Sequence, residues 1–235
     1  MEVTDQQGLM ADLVHKQHFE ESFVLDATLR DVIVALGHNL PLMRKVYKGT
    51  VNHEHEVAHT PVFGSPMTFS FDYVNEVAEI TRGEWHKQFS LTDWLHLLGL
   101  IDAVYAPIYP IGTILVLDKT LMPPLLAKAV AASGDDLQVV ITGRKIPLIN
   151  EFSSYLADYI VRIWPFGEIP NSGYIVITNM MIQQVVQMGP VNDLDKEFTE
   201  QVLRTDQLLD GKISIAYIPG AMNDETINPV AEGGE

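Results

Sequence analysis

Residues His55-Glu56-Val57-Ala58-His59 carry the pattern H-E-x-x-H. On a helix, two His four residues apart bind one zinc ion, and the Glu between them acts as general base for peptide hydrolysis. His53 adds a third imidazole, and Glu79 lies downstream at a separation suited to a further ligand. The chemistry needs a helix, because only there do positions i and i+4 reach one side of a metal. The neighbourhood argues against one. Thr60 precedes Pro61, which pushes it away from helical dihedrals, and upstream Gly49 is followed by the β-branched pair Thr50 and Val51. Tyr47 to Pro66 therefore reads as a polar, His-rich loop, and no metal ligand is assigned.

Other residues with chemical potential do not assemble into a site. His15, His18, His38, His86 and His96 are scattered, and Ser65, between Gly64 and Pro66, lacks the nucleophile-elbow pattern. The absence of cysteine removes a thiolate nucleophile, a Cys-ligated zinc and any disulfide. No catalytic residue and no cofactor is assigned. Two features point instead to recognition. Arg144 follows Gly143 at a strand end, a turn able to meet an anion, and Trp164-Pro165-Phe166-Gly167 is an aromatic turn able to face a partner. Arg144, Trp164, Pro165 and Phe166 are the candidate partner-binding residues.

Charge narrows the partner. The chain has 235 residues, 47% of them hydrophobic, and a formal net charge of −16 from 31 acidic and 15 basic side chains. Nucleic-acid binding relies on clustered Lys and Arg, and an anionic membrane surface repels such a chain, so both are expected to be excluded. The start, MEVTDQQGLMADLV, lacks a signal-peptide pattern, and Asp93, His96, Asp102 and Pro107 interrupt the most apolar stretch. A cytosolic protein is expected.

The elements follow from spacing and caps. Helices are predicted over Thr4–Phe23 and Ala27–Gly37, the second capped by Asp26 and closed by Gly37 with Pro41 beyond. Met67–Tyr73 alternates strictly and predicts a strand, with another over Glu76–Thr81. Ser90 with Asp93 opens a helix to about Val104 that is apolar around most of its circumference, and therefore buried. Ala106, Pro107 and Pro110 mark a boundary.

Beyond it, strands are predicted over Ile111–Leu117, Leu137–Thr142, Tyr159–Trp164 and Tyr174–Thr178. A short helix follows Pro123-Pro124, a helical turn covers Asn150–Leu156, and Asn179 caps a helix from Met180 to Met188. A last helix runs from Leu194 to Leu209 with Leu194, Phe198, Val202 and Leu209 on one face, and Lys212–Tyr217 adds a strand. The fold class expected is α+β. Residues 1–106 form a mainly helical portion with a small β element. Residues 107–218 form a small twisted, mostly antiparallel sheet or partial barrel with packed helices. Residues 219–235 form a disordered acidic tail.

Four patterns recur in order across the second half: Pro110-Ile111-Gly112-Thr113-Ile114-Leu115; Val140-Ile141-Thr142-Gly143-Arg144; Trp164-Pro165-Phe166-Gly167; and Ile182 to Gly189 followed by Asn192 to Phe198. In these the segment 109–201 resembles a small family of unknown biochemical activity, encoded beside LXG-type toxins in type VII secretion loci of Gram-positive bacteria. Asp118–Asp136 is longer than the family's turn, and residues 1–106 lie outside the match. The resemblance implies a cytosolic chaperone or adaptor whose protein partner is a secreted toxin or its small helical targeting protein. The alternatives are an immunity protein that neutralises a cognate toxin and a zinc-dependent peptidase acting through HEVAH.

Overall fold

The alternation at Met67 builds what it predicts. Met67, Phe69 and Phe71 turn inward and are buried, while Thr68, Ser70 and Asp72 face outward. This is β2 (Met67–Asp72) of an antiparallel sheet ordered β1-β2-β3-β4, with β1 (Glu56–His59), β3 (Val77–Arg82) and β4 (Trp85–Ser90). The structure, a computed structural model, describes residues 3–16, 19, 23–122, 138–168 and 175–218. The chain divides into two units, Met1–Ala106 and Pro107–Glu235.

In the first unit, α1 (Val3–Lys16), α2 (Ala27–Gly37) and α3 (Leu40–Val51) precede the sheet and α4 (Leu91–Tyr105) follows it. Asp26 caps α2 by accepting from Leu29 N at 2.9 Å, and Ser90 caps α4 by accepting from Asp93 N at 3.0 Å. Trp94 on α4 is fully buried, with Phe69, Phe71 and Phe89 of the sheet at ring-centroid distances of 5.8, 6.3 and 6.0 Å. Its indole N–H donates to Thr50 Oγ1 at 3.1 Å, which gives the polar edge of a buried tryptophan its partner.

Two expectations fail here. Tyr47 is not the start of a loop but lies in α3. Asn39 caps that helix by accepting from Leu42 N at 3.1 Å, and Pro41 sits in the first turn, where a missing N–H costs nothing. Gly49 sits inside α3 because β1 passes directly over it: an added Cβ would overlap Val57 Cγ2. α2 does end at Gly37 with Pro41 beyond it, but that proline also starts α3, and Gly49, read as a breaker, is a packing site.

The second unit is a sheet ordered β10-β7-β6-β5-β9, made of β5 (Ile114–Leu117), β6 (Gln138–Pro147), β7 (Tyr155–Ile163), β9 (Ile182–Gln187) and β10 (Ile213–Ser214). β8 (Ile175–Ile177) shares one side of β7 with β10: β10 pairs with Tyr155 and Leu156 in parallel, β8 with Tyr159 to Val161 in antiparallel. The other pairs are antiparallel and the sheet does not close into a barrel, so the fold is α+β. β5 begins three residues later than expected, because Gly112 takes φ 83° in the preceding turn. β6 does not stop at Gly143; it continues through a bulge between Ile141 and Gly143 to Pro147. Asn179 opens only a short 3-10 turn, and Ile182–Gln187 is a strand rather than a helix. The predicted helix after Pro123-Pro124, Tyr174 and the tail from Pro219 lie outside the described residues.

The Pro-Ile-Gly-Thr pattern and Gly189 meet in one joint. Thr113 Oγ1 donates to Pro110 O at 2.7 Å and accepts from Gly189 N at 3.0 Å, while Gly112 N donates to Ile141 O at 2.9 Å. This ties the entry of β5 to β6 and to the exit of β9. A Cβ on Gly189 would overlap the Ile111 carbonyl oxygen and lie 2.8 Å from Thr113 N. Gly189→Ala is therefore expected to destabilise the second unit by about 3 kcal/mol. Gly8→Ala, in α1 with open space around it, should stabilise by about 0.5–1 kcal/mol. Urea unfolding followed by circular dichroism checks both; equal midpoints for the two variants would contradict the joint.

Candidate functional site

HEVAH has no helix to stand on. Glu56–His59 is β1, paired with β2 as Glu56 opposite Ser70 and His59 opposite Met67. Four residues of strand span about 13 Å, so His55 and His59 cannot share an ion. Glu79 in β3 sits opposite Ser70, two strands away from Glu56, and accepts from Gln88 Nε2 at 2.7 Å. Among the described residues, no group of three or more His, Asp or Glu is placed to hold a metal ion. The histidines have another organiser. The rings of His53 and His55 lie 4.6 and 6.2 Å from that of Tyr73. The Tyr73 hydroxyl reaches the carbonyls of Gly49, Thr50 and Glu54 at 3.0–3.2 Å, all near the end of α3. Partial burial, followed by the nearby Glu54 charge, pushes its pKa up to about 12. The cluster packs around a tyrosine that closes a helix end.

The candidate recognition residues separate. Trp164 and Phe166 are 45% and 72% exposed, on a turn with a cis Trp164–Pro165 bond, closed by Trp164 N to Gln138 O and Gly167 N to Ile163 O, each 2.9 Å. Arg144 is instead held by its own chain. Its guanidinium donates to Asp195 Oδ1 at 2.8 Å and Thr199 Oγ1 at 3.1 Å, and its Cζ lies 6.0 Å from the centroid of the Phe198 ring.

That clamp sets the orientation of the helix from Asp193 to Leu209. Asn192 caps it, its first turn Asp193–Glu197 is α-helical, Phe198–Arg204 is π-helical and Thr205–Leu209 returns to α. Backbone dihedrals stay helical at both junctions, at Glu197 and Thr205. The expected apolar face is present, but it points outward. Leu194, Phe198, Val202 and Leu209 are 73, 43, 40 and 76% exposed, whereas Thr199, Arg204 and Gln207 are buried. Burying a Leu, Val or Phe side chain is worth about 1.5–3 kcal/mol. Leu208 is buried with those polar groups and Leu203 half-buried, yet a helix that leaves four large apolar side chains to water forgoes several such increments, which is the mark of an interaction surface.

Beside this surface lies a polar core that the sequence did not announce. Lys145 Nζ donates to Asp158 Oδ1 at 2.8 Å, with both side chains buried. Asp158 Oδ2 accepts from Ser214 Oγ at 2.6 Å and from Asn179 N at 3.0 Å. One carboxylate thus joins β6, β7, the turn before β9 and β10, and its lone pairs are occupied as a buried charge requires.

No family model, curated protein or solved structure matches this chain. The fold and the outward-facing helix are therefore the grounds for a functional reading. Asp158→Asn, which leaves a buried ammonium without its counter-charge, is expected to destabilise by about 3–5 kcal/mol. The double variant Lys145→Met/Asp158→Asn should be more stable than the sum of the single changes by about 2 kcal/mol. A double-mutant cycle in urea reads this directly, and strict additivity would contradict the network.

Proposed function

We propose that this chain is a protein-binding accessory factor: a chaperone or adaptor that holds a type VII secretion toxin's helical targeting region, or that toxin's small helical targeting protein, before export. The observation that carries the reading is the outward stripe of Leu194, Phe198 and Val202, at spacings of four, on a helix held from its other side by Arg144. Anchors at i, i+4 and i+8 fit the apolar face of another amphipathic helix. Asp193 and Glu200 are paired with Lys196 and Arg204, while Glu197 and Asp206 on the same helix favour a partner with Lys or Arg beside its apolar face. The resemblance over residues 109–201 supports the same reading. Its separate patterns have joint physical roles in this chain, Gly112-Thr113 bonded with Gly189, and Arg144 with Asp195 and Thr199. No helix among the described residues is long and apolar enough to cross a membrane.

Co-purification with a toxin expressed from the same locus tests the proposal. The unaltered chain is expected to retain the toxin through its N-terminal targeting region. Leu194→Asp/Val202→Asp should lower retention at least about tenfold, the effect of losing roughly 1.4 kcal/mol of binding, with an unchanged unfolding midpoint. Retention mapped to the C-terminal toxic domain would overturn the adaptor reading in favour of an immunity protein. Retention indifferent to the double variant would remove the stripe from the interface.

A further inference from the structure

The strand edge at β9 presents a second surface, different in chemistry from the apolar stripe. β9 ends the strand order of the second unit, so one of its two backbone edges has no neighbouring strand among the described residues. An open edge offers unpaired N–H and C=O groups, and proteins usually blunt it with Lys, Pro, inward charges or bulges. β9 has no charge and no Pro; it pairs with β5 through two register shifts, at which Val186 and Gln183 are the extra residues. Its sequence is Ile182-Gln183-Gln184-Val185-Val186-Gln187, and from Ile169 through Asn192 the chain carries no Asp, Glu, Lys or Arg. In a chain that is 20% charged with net charge −16, that silence falls on an exposed edge. Gln183, Gln184, Val186, Gln187 and Met188 are exposed.

We infer that β9 pairs antiparallel with β9 of a second copy of this chain, about a two-fold axis beside Val185. The sequence is self-complementary in that arrangement. Val185 meets Val185 of the second copy, Gln183 meets Gln187, and Gln184 meets Val186. A Gln side chain is both donor and acceptor, so Gln opposite Gln forms a bonded cross-strand pair. Two chains of like sign also need an uncharged place to touch, because like charges directly opposite destabilise a strand pair. The two-fold makes the contact closed and self-limiting, since each copy uses up its own β9 edge in pairing. Val186 and Met188 extend the contact beyond the backbone ladder. The two small sheets become one continuous sheet across the pair.

Sedimentation equilibrium of the full chain at increasing concentration tests this. The expected mass rises from that of one chain to that of two. Gln183→Lys/Gln187→Lys sets Lys opposite Lys twice and should weaken association by about tenfold or more, while both positions are exposed and the monomer keeps its circular dichroism. Gln183→Glu/Gln187→Glu should weaken it likewise. An equimolar mixture of the two variants should recover two-chain mass, because each Lys then faces a Glu. Leu194→Asp/Val202→Asp should dimerise normally, which separates this edge from the proposed toxin-binding stripe. A chain that stays monomeric at every concentration overturns the inference, as does a dimer indifferent to the β9 charges or lost only when the stripe is altered.

Discussion

The second unit hangs on two adjacent cations. Arg144 and Lys145 leave β6 just after its bulge and reach different elements: Arg144 takes Asp195 and Thr199 on the C-terminal helix, and Lys145 takes Asp158 on β7. Through Asp158 the second contact extends to Asn179 and Ser214. One point on β6 thus reaches the C-terminal helix, the turn before β9, and β10. Gly143 is the residue that permits it. It lies at the bulge, against Ile160 Cβ, where an added Cβ would stand only 3.2 Å away. Lys145 then adopts φ 47°, a conformation non-glycine residues rarely take, and its buried ion pair holds it there.

Charge-assisted bonds explain why the C-terminal helix faces the way it does. Free to choose, an amphipathic helix buries its apolar stripe. Here Asp195 and Thr199 are drawn inward by a guanidinium that would otherwise be buried without a partner, at a cost larger than that of exposing one or two apolar side chains. Arg204 is held in the same way, paired with Glu200 at 3.1 Å, and Gln207 donates to the Lys212 carbonyl at 3.2 Å. The π-helical middle, with its wider turn, is frequent where a helix serves a function rather than a core. The outward stripe is thus the consequence of polar anchors on the inward side, where Leu208 is buried beside them.

What the sequence revealed divides along the same line. α2, α4, β2 and β3 were legible because their signals are local: a capping side chain, a period of 3.6 or a period of two. The stripe of Leu194, Phe198 and Val202 was legible as a face, but its direction was not, because the residue that decides it lies some fifty positions earlier. β9 read as a helix because Asn179 resembles a cap, and only pairing with β5 makes it a strand. α3 was hidden by Pro41 and Gly49, whose meanings depend on the residues beside them. The Lys145–Asp158 pair left no periodic trace, since thirteen residues and a turn separate its members. Of the recognition residues, Trp164 and Phe166 remain open to solvent, while Arg144 is spent on internal order.

These features together say where the chain tolerates instability. Cores are polar where clamps are needed, and apolar groups are exposed where nothing in the chain requires them inside. The run from Ile182 to Leu209 holds both an uncharged strand edge and an outward apolar helix, joined by Gly189 and Pro190 at a joint too tight for any side chain on Gly189. Selection for monomer stability alone favours a charge on such an edge and an apolar stripe turned inward. Keeping both exposed while fixing their geometry with buried ion pairs and a glycine joint is what a rigid scaffold for contact with other polypeptides requires.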